Sequence, residues 1–253
     1  MPLVWPSTVV ILCGGRGTRL QEHTSAIPKP LVEIGGHPIL WHVIQIYAFQ
    51  GFRRFVLCLG YKGELIEEFV AACDWPEGSE IVCAATGADT PTGGRIKRVA
   101  EHLPDHTFHA TYADGVADVD LAALCSQHKA HGVLATMTVV RPELPFGVTE
   151  IDAHGHIHGF REKPRAEHWI NGGFFCFEPA VLDYIQEDSV LEREPFERLA
   201  LAGQLRGFRH EGFWDCMDTY KDALLLNDLW ATGEAPWKVW ERDPLPSGEL
   251  SAS

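Results

Sequence analysis

The first half of the chain alternates short apolar runs with segments whose apolar residues recur at helical spacing. The run TVVILC at 8–13 is rich in β-branched residues and ends at a glycine cluster, as a buried parallel strand does before a turn. From Pro38 to Gln50 the apolar residues fall on one helical face, and Gly51 follows the last turn. This alternation indicates βαβ units and a parallel sheet. The remaining predicted elements of this half are strands at 55–59, 79–84 and 107–112 and helices at 64–72, 96–103 and 121–131.

The hydrophobic pattern of the second half differs from that of the first, because its strand-like runs are short and separated by Gly and Pro. We therefore expect an α/β fold, with a Rossmann-like, mixed but mostly parallel sheet flanked by helices. One domain would span 1–242, in two halves at about 1–132 and 133–242, and 243–253 would be a flexible tail. The predicted strands of the second half are 134–140, 148–152, 157–161 and 173–177, and its helices are 179–187, 195–202 and 220–232.

Composition and charge narrow the class of protein. With 253 residues, 45% of them hydrophobic, the chain can bury a sizeable core, which excludes a disordered or collagen-like protein. No apolar run approaches the roughly 20 residues of a membrane-spanning helix. A net charge of −14 argues against nucleic acid and anionic membranes as partners, because both need a basic surface. The seven cysteines are scattered and never spaced CxxC, which argues against disulfides or structural zinc and favours the cytoplasm.

The string GGRGTRL at 14–20 directly follows the first predicted strand. Glycines let the backbone turn with several N–H groups facing one point, and Arg19 adds a bidentate donor, so a phosphate chain is the natural ligand. Leu20 stands where the dinucleotide fingerprint needs its third glycine, and no GxxxxGK[ST] motif occurs. A plain tight turn remains the alternative interpretation of this string alone.

Further candidate residues follow other predicted elements. Pro28 and Pro30 fix the backbone on both sides of Lys29, which holds its ammonium in a set place. Asp114 follows the strand predicted at 107–112. Because the carboxyl ends of parallel strands form the binding crevice, its carboxylate can hold Mg²⁺ near the phosphates. Asp218 precedes the last predicted helix and is either a second such carboxylate or only a helix N-cap.

Together these elements resemble the sugar-1-phosphate nucleotidylyltransferases, or NDP-sugar pyrophosphorylases. The match is an ordered set of motifs, and within the family the wording is most similar to the glucose-1-phosphate cytidylyltransferases. The family motifs are GGRGTRL (14–20), PKP (28–30), DG (114–115), EKP (162–164), NGG (171–173) and WDCMDT (214–219). The cytidylyltransferase-like strings include VEIGGHPILWH (32–42), LGYKGELIEEF (59–69), TGGRIKRVAEHL (92–103), HKAHG (128–132) and APWKVW (235–240).

The resemblance implies transfer of a nucleotidyl group from CTP to a sugar-1-phosphate, with glucose-1-phosphate first, giving CDP-sugar and pyrophosphate. It implies a nucleotide-binding first half, a sugar-binding second half and Mg²⁺ as cofactor. The implied catalytic residues are Arg19, Lys29, Asp114, Lys163 and Asp218, with Asp114 and Asp218 on the metal. The implied nucleotide site is Leu12, Cys13, Gly14, Gly15, Arg16, Gly17, Thr18, Arg19, Lys29, Thr90, Thr92, Arg95 and Asp114. The implied sugar-phosphate site is Gly147, Glu162, Lys163, Asn171 and Gly172.

Three rivals stay open. One is an enzyme of the same class that uses UTP, dTTP or another sugar-1-phosphate. The second is a non-catalytic sugar-nucleotide sensor on this fold, although a binder has no need for both metal carboxylates. The third is a glycosyltransferase, which would normally carry a DxD motif, whereas Asp114 and Asp118 are four apart. We expect a cytoplasmic homo-oligomer, and a solvated hairpin rather than zinc at the histidines of 154–158.

Overall fold

Short apolar runs form the strands of the central sheet, as the hydrophobic pattern predicts. The structure is a computed structural model, and it describes residues 6–15, 17 and 27–242. Its strands are β1 (Thr8–Leu12), β2 (Glu33–Ile34), β3 (His37–Pro38), β4 (Arg54–Leu59), β5 (Glu80–Ala85), β6 (Phe108–Tyr112), β7 (Gly115–Ala117), β8 (Ala135–Val140), β9 (Val148–Ile151), β10 (Ile157–Arg161), β11 (Ile170–Phe177), β12 (Leu205–Arg209) and β13 (Trp214–Cys216).

Seven strands form the main sheet in the order β12-β8-β11-β6-β1-β4-β5. Strand β1 pairs in parallel with β4 and β6, and β12 pairs in parallel with β8. Only β11 runs antiparallel to its neighbours β6 and β8 in this sheet. Separate two-stranded pairs join β9 to β10, β7 to β13 and β2 to β3. The predicted mixed, mostly parallel sheet is confirmed.

Helices cover both faces of the sheet. Alternation along β1 sends Val9 and Ile11 into one buried cluster and Val10 and Leu12 into another, so the sheet needs a cover on each side. None of the helices in the described part of the chain is long and apolar enough to cross a membrane. The α-helices are α1 (Ile39–Phe49), α2 (Gly63–Ala72), α3 (Thr92–Arg98), α4 (Leu121–His131), α5 (Glu194–Leu201) and α6 (Tyr220–Ala231), and short 3₁₀ helices occupy Lys29–Leu31, Ala100–His102, Pro179–Tyr184 and Val239–Glu241.

Several elements differ from the sequence-based expectation. The predicted helix at 96–103 is helix α3 (Thr92–Arg98) followed by a 3₁₀ turn at Ala100–His102, and the predicted helix at 179–187 is a 3₁₀ helix at Pro179–Tyr184. The pattern does not predict the short strands β2, β3, β7 and β13, and β11 begins three residues before its predicted start. Helix α3 begins at Thr92, four residues before the predicted start, because Gly93 and Gly94 pack against a neighbouring loop. A Cβ on Gly94 would lie 2.0 Å from the carbonyl oxygen of Glu187. Strand β12 was not predicted, since its alternating arginines and central glycine give no apolar run. The tail at 243–253 lies outside the described residues, so its flexibility stays a prediction.

Candidate active site

The carboxyl ends of β1 and β6 lie side by side and create the candidate site. Leu12, the last residue of β1, pairs with Tyr112, the last residue of β6. The glycine turn therefore leaves the sheet beside the segment that carries Asp114. In a parallel sheet this edge is where ligands bind, because both strands release their chain in the same direction.

Asp218 reaches the same edge through the small pair of strands β7 and β13. Gly115 pairs with Cys216, and the backbone N–H of Met217 donates to the carbonyl oxygen of Asp114 at 2.9 Å. This pairing carries the chain from residue 214 back to the first sheet strands. It places Asp218 beside Asp114, although about a hundred residues separate them in sequence.

The ammonium of Lys29 lies between the two carboxylates. Its Nζ is 2.5 Å from Asp114 Oδ2 and 2.6 Å from Asp218 Oδ1. Lys29 is the first residue of the 3₁₀ turn Lys29–Leu31, with Pro28 directly before it and Pro30 directly after it. Both prolines therefore restrict the backbone next to the lysine, as predicted. Burial lowers the pKa of Lys29, but the charge of Asp114 and the hydrogen bonds to both carboxylates outweigh that effect and raise it overall. The group is therefore a fixed positive charge at neutral pH.

A cavity of about 380 Å³ opens in front of this ion-paired cluster. The backbone of Leu12, Cys13, Gly14 and Gly15 forms one wall, as the glycine turn predicts. Burial raises the pKa of Cys13 well above its usual range, so its thiol stays protonated and unreactive. The other lining residues are Gly17, Lys29, Pro30, Thr90, Pro91, Thr92, Arg95, Tyr112, Ala113, Asp114 and Asp218.

Arg95 fixes the first part of the glycine turn. Its guanidinium donates to the carbonyl oxygens of Gly14 at 3.0 Å, Leu59 at 3.1 Å and Gly87 at 2.9 Å, and to the hydroxyl of Thr86 at 2.7 Å. A Cβ on Gly14 would lie 1.9 Å from Arg95 Nη1, so only glycine permits this approach. The side chain is 4% exposed. In the structure Nη1 and Nη2 of Arg95 donate to protein acceptors, which makes Arg95 a positioning residue for the turn.

Thr90 and Thr92 lie at the start of α3, and each forms hydrogen bonds with residues that the sequence analysis did not single out. Thr92 Oγ1 donates to one carboxylate oxygen of Glu192 at 2.7 Å, and the Tyr112 hydroxyl donates to the other at 2.5 Å. Thr90 Oγ1 donates to the Thr86 carbonyl oxygen at 2.5 Å. Glu192 follows no strand and belongs to no recognised motif, so no local signal marks it.

A second cavity, of about 710 Å³, is lined by Lys163 and by Trp214 and Asp215 of β13. Burial raises the pKa of Asp215 to about 6, the hydrogen bond from the Cys216 backbone N–H opposes that shift, and Asp222 adds to it. The charged lining is mixed, with the basic side chains of Arg141, Lys163, Arg165 and Lys221 and the carboxylates of Glu143, Asp215 and Asp222.

The other predicted sugar-site residues lie near these cavities without lining either of them. Gly147 is close to Glu162, since a Cβ on the glycine would be 2.9 Å from Glu162 Oε2. Asn171 Nδ2 donates to the Tyr112 hydroxyl at 3.0 Å, which links β11 to the first cavity. Gly172 accepts a 2.7 Å hydrogen bond at its carbonyl oxygen from the indole N–H of Trp214.

Three predicted site residues, Arg16, Thr18 and Arg19, lie outside the described residues, so their proposed phosphate contacts stay predictions. The histidines of 154–158 form the expected exposed hairpin. Asp152 Oδ1 accepts from the backbone N–H groups of His154 and His156 at 2.8 and 3.0 Å, and Gly155 has φ +86°.

Comparisons with known proteins agree on one family. The sequence profile described as "Nucleotidyl transferase" matches residues 8–204. The glucose-1-phosphate cytidylyltransferase of Salmonella typhi is 44% identical, over 92% of this chain and 99% of that protein. A probable glucose-1-phosphate cytidylyltransferase of Bacillus subtilis (strain 168) is 42% identical, over 91% and 99%. The crystal structure of HddC from Yersinia pseudotuberculosis shares the fold, with a TM-score of 0.69, 23% identity and coverage of 88% and 99%.

Proposed function

This chain belongs to the nucleotidyl transferase family, and on that premise we propose that it transfers a cytidylyl group from CTP to glucose-1-phosphate. The products are CDP-glucose and pyrophosphate. The observation that carries the proposal is the cluster of Lys29, Asp114 and Asp218 in the cavity at the ends of β1 and β6. The relatives from Salmonella typhi and Bacillus subtilis, both similar over nearly their whole length, support CTP and glucose-1-phosphate as substrates.

The reaction needs little acid–base chemistry. An oxygen of the sugar phosphate forms a bond to the α-phosphorus of CTP, the bond from that phosphorus to the bridging oxygen breaks, and pyrophosphate leaves with the electron pair. The attacking monoester has a second pKa near ~6, so it arrives charged at neutral pH and needs no general base. Catalysis then consists of aligning two anions and neutralising the charge that develops.

The first cavity supplies both requirements for the nucleotide. Backbone N–H groups of the glycine turn face the triphosphate, and Lys29 neutralises it together with Arg19. Arg95 acts on the nucleotide indirectly, because its guanidinium bonds the Gly14 carbonyl oxygen and so holds the glycine turn in place. Thr90 and Thr92 line the wall of the cavity opposite the metal carboxylates and face the nucleotide.

Asp114 and Asp218 fit a magnesium ion. Their oxygens already converge on a single cation, the Lys29 ammonium, at 2.5 and 2.6 Å, and carboxylate oxygens are the hard donors that Mg²⁺ prefers. When bound there, Mg²⁺ would offset the negative charge of the phosphates. Lys29, held beside the same two carboxylates, would supply a second positive charge to the phosphates.

Lys163 and its surroundings fit the second substrate. The second cavity offers several cations to a phosphate, with Lys163 as the predicted contact. Glu162 and Asn171 would accept or donate to sugar hydroxyls, and Gly147 and Gly172 leave room for the ring. Asn171 also donates to the hydroxyl of Tyr112, which lines the first cavity, so a hydrogen bond links this proposed sugar-site residue to the nucleotide cavity.

The test is pyrophosphate release with Mg²⁺ over a grid of CTP, UTP, dTTP, ATP and GTP against several sugar-1-phosphates. Release confined to CTP with glucose-1-phosphate is the expected result. A best rate with another pair keeps the reaction class and replaces the substrates. Tight nucleotide binding by calorimetry without turnover on any pair identifies the sensor instead and overturns the enzymatic proposal.

The same proposal places the chain as a homo-oligomer in the cytoplasm, where CDP-sugars feed surface-polysaccharide or deoxysugar synthesis. In support of a reducing compartment, the structure contains seven free cysteines, of which four are buried. Sedimentation at several protein concentrations tests the oligomeric state.

A further inference from the structure

A second group of metal-ligating side chains lies deep in the core, away from both cavities. His109 on β6 and Cys176 on β11 are direct partners across the antiparallel pair of these strands. Helix α4 packs over β11 and brings Cys125 above them. One ligand atom from each of the three residues lies within 4.8 Å of the other two, and all three residues are fully buried.

His109 has no hydrogen-bond partner for either ring nitrogen among the described residues. Buried imidazoles are normally bonded on at least one nitrogen, because a buried polar atom without a partner loses its hydrogen bonds to water and gains none. The rings of Tyr47 and Phe52 pack against His109, with centroid distances of 5.9 and 4.7 Å, and account for its burial. They leave its nitrogens unexplained. Burial also lowers the pKa of His109 to about 3, so the ring is neutral and has a free lone pair.

The two cysteines are already paired with each other. A side-chain hydrogen bond joins the Cys125 and Cys176 thiols. The cluster therefore contains two thiols and one imidazole whose nitrogens have no hydrogen-bond partner among the described residues. This is the ligand chemistry of a soft or borderline cation.

We infer that His109, Cys125 and Cys176 form a core binding site for a thiophilic divalent cation of the zinc class. Two thiolates and a neutral imidazole balance the charge of a dication, so the complex can be buried without net charge, whereas Cu⁺ would leave one negative charge. Binding releases both thiol protons to solvent. Ligand atoms around tetrahedral zinc lie about 3.8 Å apart or less, so the cluster must close by about 1 Å at most.

The sequence gives no hint of this site, because its ligands come from three separate elements and none of the cysteines is spaced CxxC. It is also distinct from the proposed magnesium site. There the donors are the oxygens of Asp114 and Asp218, and the sulfur of Cys216 lies within 4.8 Å of them.

The experiment uses the full chain, expressed with zinc in the medium so that the ion can enter while the core forms. Excess Mg²⁺ during purification occupies the Asp114 and Asp218 carboxylates. We expect one zinc per chain by elemental analysis and, after expression with Co²⁺ instead, sulfur-to-cobalt charge-transfer absorption. Cys125→Ala, which changes volume little, and Cys176→Ala should both lose the metal and the absorption.

Cys216→Ser is the matched control and should keep both signals. His109→Leu provides an additional variant if a cysteine variant folds poorly, and circular dichroism confirms folding before metal is measured. Zinc that persists in folded Cys125→Ala or His109→Leu overturns the proposal, as does loss of zinc in Cys216→Ser. A wild-type chain that contains no zinc after expression with the metal overturns it as well.

Discussion

The Nζ atom of Lys29 lies 2.5 Å from Oδ2 of Asp114, inside the cavity at the ends of two parallel strands. With Asp218 Oδ1 at 2.6 Å on the other side, one ammonium bonds two carboxylates and offsets one of their two negative charges. The same lysine can therefore serve both the resting protein and the phosphates of a bound nucleotide.

Replacing Lys29 by methionine removes this positive charge and keeps most of the side-chain volume. We expect kcat/KM for pyrophosphate release to fall 10²- to 10³-fold, since one lost electrostatic contact to the developing charge is worth about 2.7–4 kcal/mol. Mg²⁺ should bind more tightly to the substrate-free variant, because the competing ammonium is gone; calorimetry measures this. Lys129→Met, on α4 outside both cavities, is the control and should keep the wild-type kcat/KM. A Lys29→Met variant whose kcat/KM is within threefold of wild type contradicts the assignment.

Asp114→Asn keeps the shape of the side chain and removes its charge. We expect turnover to fall by about 10² or more while the fold stays intact, because the proposed metal loses a carboxylate ligand. The backbone pairing of β7 with β13 does not involve this side chain, so the far-ultraviolet circular dichroism and thermal midpoint should change little. A folded variant with a near-normal rate at saturating Mg²⁺ would remove the metal role.

The sequence predicts the strand ends of the site better than the contacts across it. Thr8–Cys13 is recognisable as an apolar run and Thr107–Tyr112 as a strand-like segment, so the place where the glycine turn meets Asp114 follows from simple strand order. The bounds of α4 and β10 are also those predicted. For β1, β6 and α4 the local pattern carries this information because each segment buries residues of its own. Strand β10 is mostly exposed, and its start follows from the hairpin turn before it.

What the sequence misses depends on distant partners. Strand β12 forms because it pairs with β8, and β13 forms because it pairs with β7. Arg95 matches a nucleotide-site position by resemblance, but in the structure it binds the carbonyl oxygens of Gly14, Leu59 and Gly87. No sequence periodicity predicts that one guanidinium donates to carbonyl oxygens on three separate segments.

Arg95→Ala tests this positioning role through stability. Removing the guanidinium deletes its hydrogen bonds to the carbonyl oxygens of Gly14, Leu59 and Gly87, and we expect the free energy of unfolding to fall by about 3 kcal/mol. Arg95→Lys should lose nearly as much, because one ammonium cannot reach oxygens on three segments. Urea denaturation measures both variants. Arg98→Ala, on the exposed side of the same helix, is the control with an expected loss below about 1 kcal/mol. If Arg95→Lys is as stable as wild type, charge alone matters and the network does not.

Asp215 predicts a pH dependence of stability. Its pKa is raised to about 6 from an ordinary value of 3.8, chiefly by burial, so the folded protein disfavours the charged form. Between pH 3.8 and 6 the folded state binds more protons than the unfolded state at this group. Stability from this group therefore falls as pH rises through that window, and a constant penalty remains above it.

Asp215→Asn removes the penalty. We expect the free energy of unfolding at pH 7.5 to rise by about 1–2 kcal/mol after allowance for solvent screening, and the gain to vanish below about pH 4. Guanidinium denaturation at a series of pH values measures the difference. The exposed Asp183→Asn is the control and should show no such pH dependence. A gain that is equal at pH 4 and pH 7.5 would point to packing rather than charge.

Glu192 joins the two sides of the first cavity, because its carboxylate accepts hydrogen bonds from the hydroxyls of Tyr112 and Thr92. Thr92 and Tyr112 line the cavity directly, whereas Glu192 does not, so it is a positioning residue. Glu192→Ala should raise KM for CTP about 10-fold, since hydrogen bonds to a charged group are worth about 1.5–3 kcal/mol, and should change kcat much less. Glu192→Gln, which keeps one acceptor oxygen, should recover part of the loss. Glu194→Ala in the exposed first turn of α5 is the control. Steady-state kinetics at saturating glucose-1-phosphate measures both constants, and an unchanged KM in Glu192→Ala would show that the two hydroxyls hold their positions without the carboxylate.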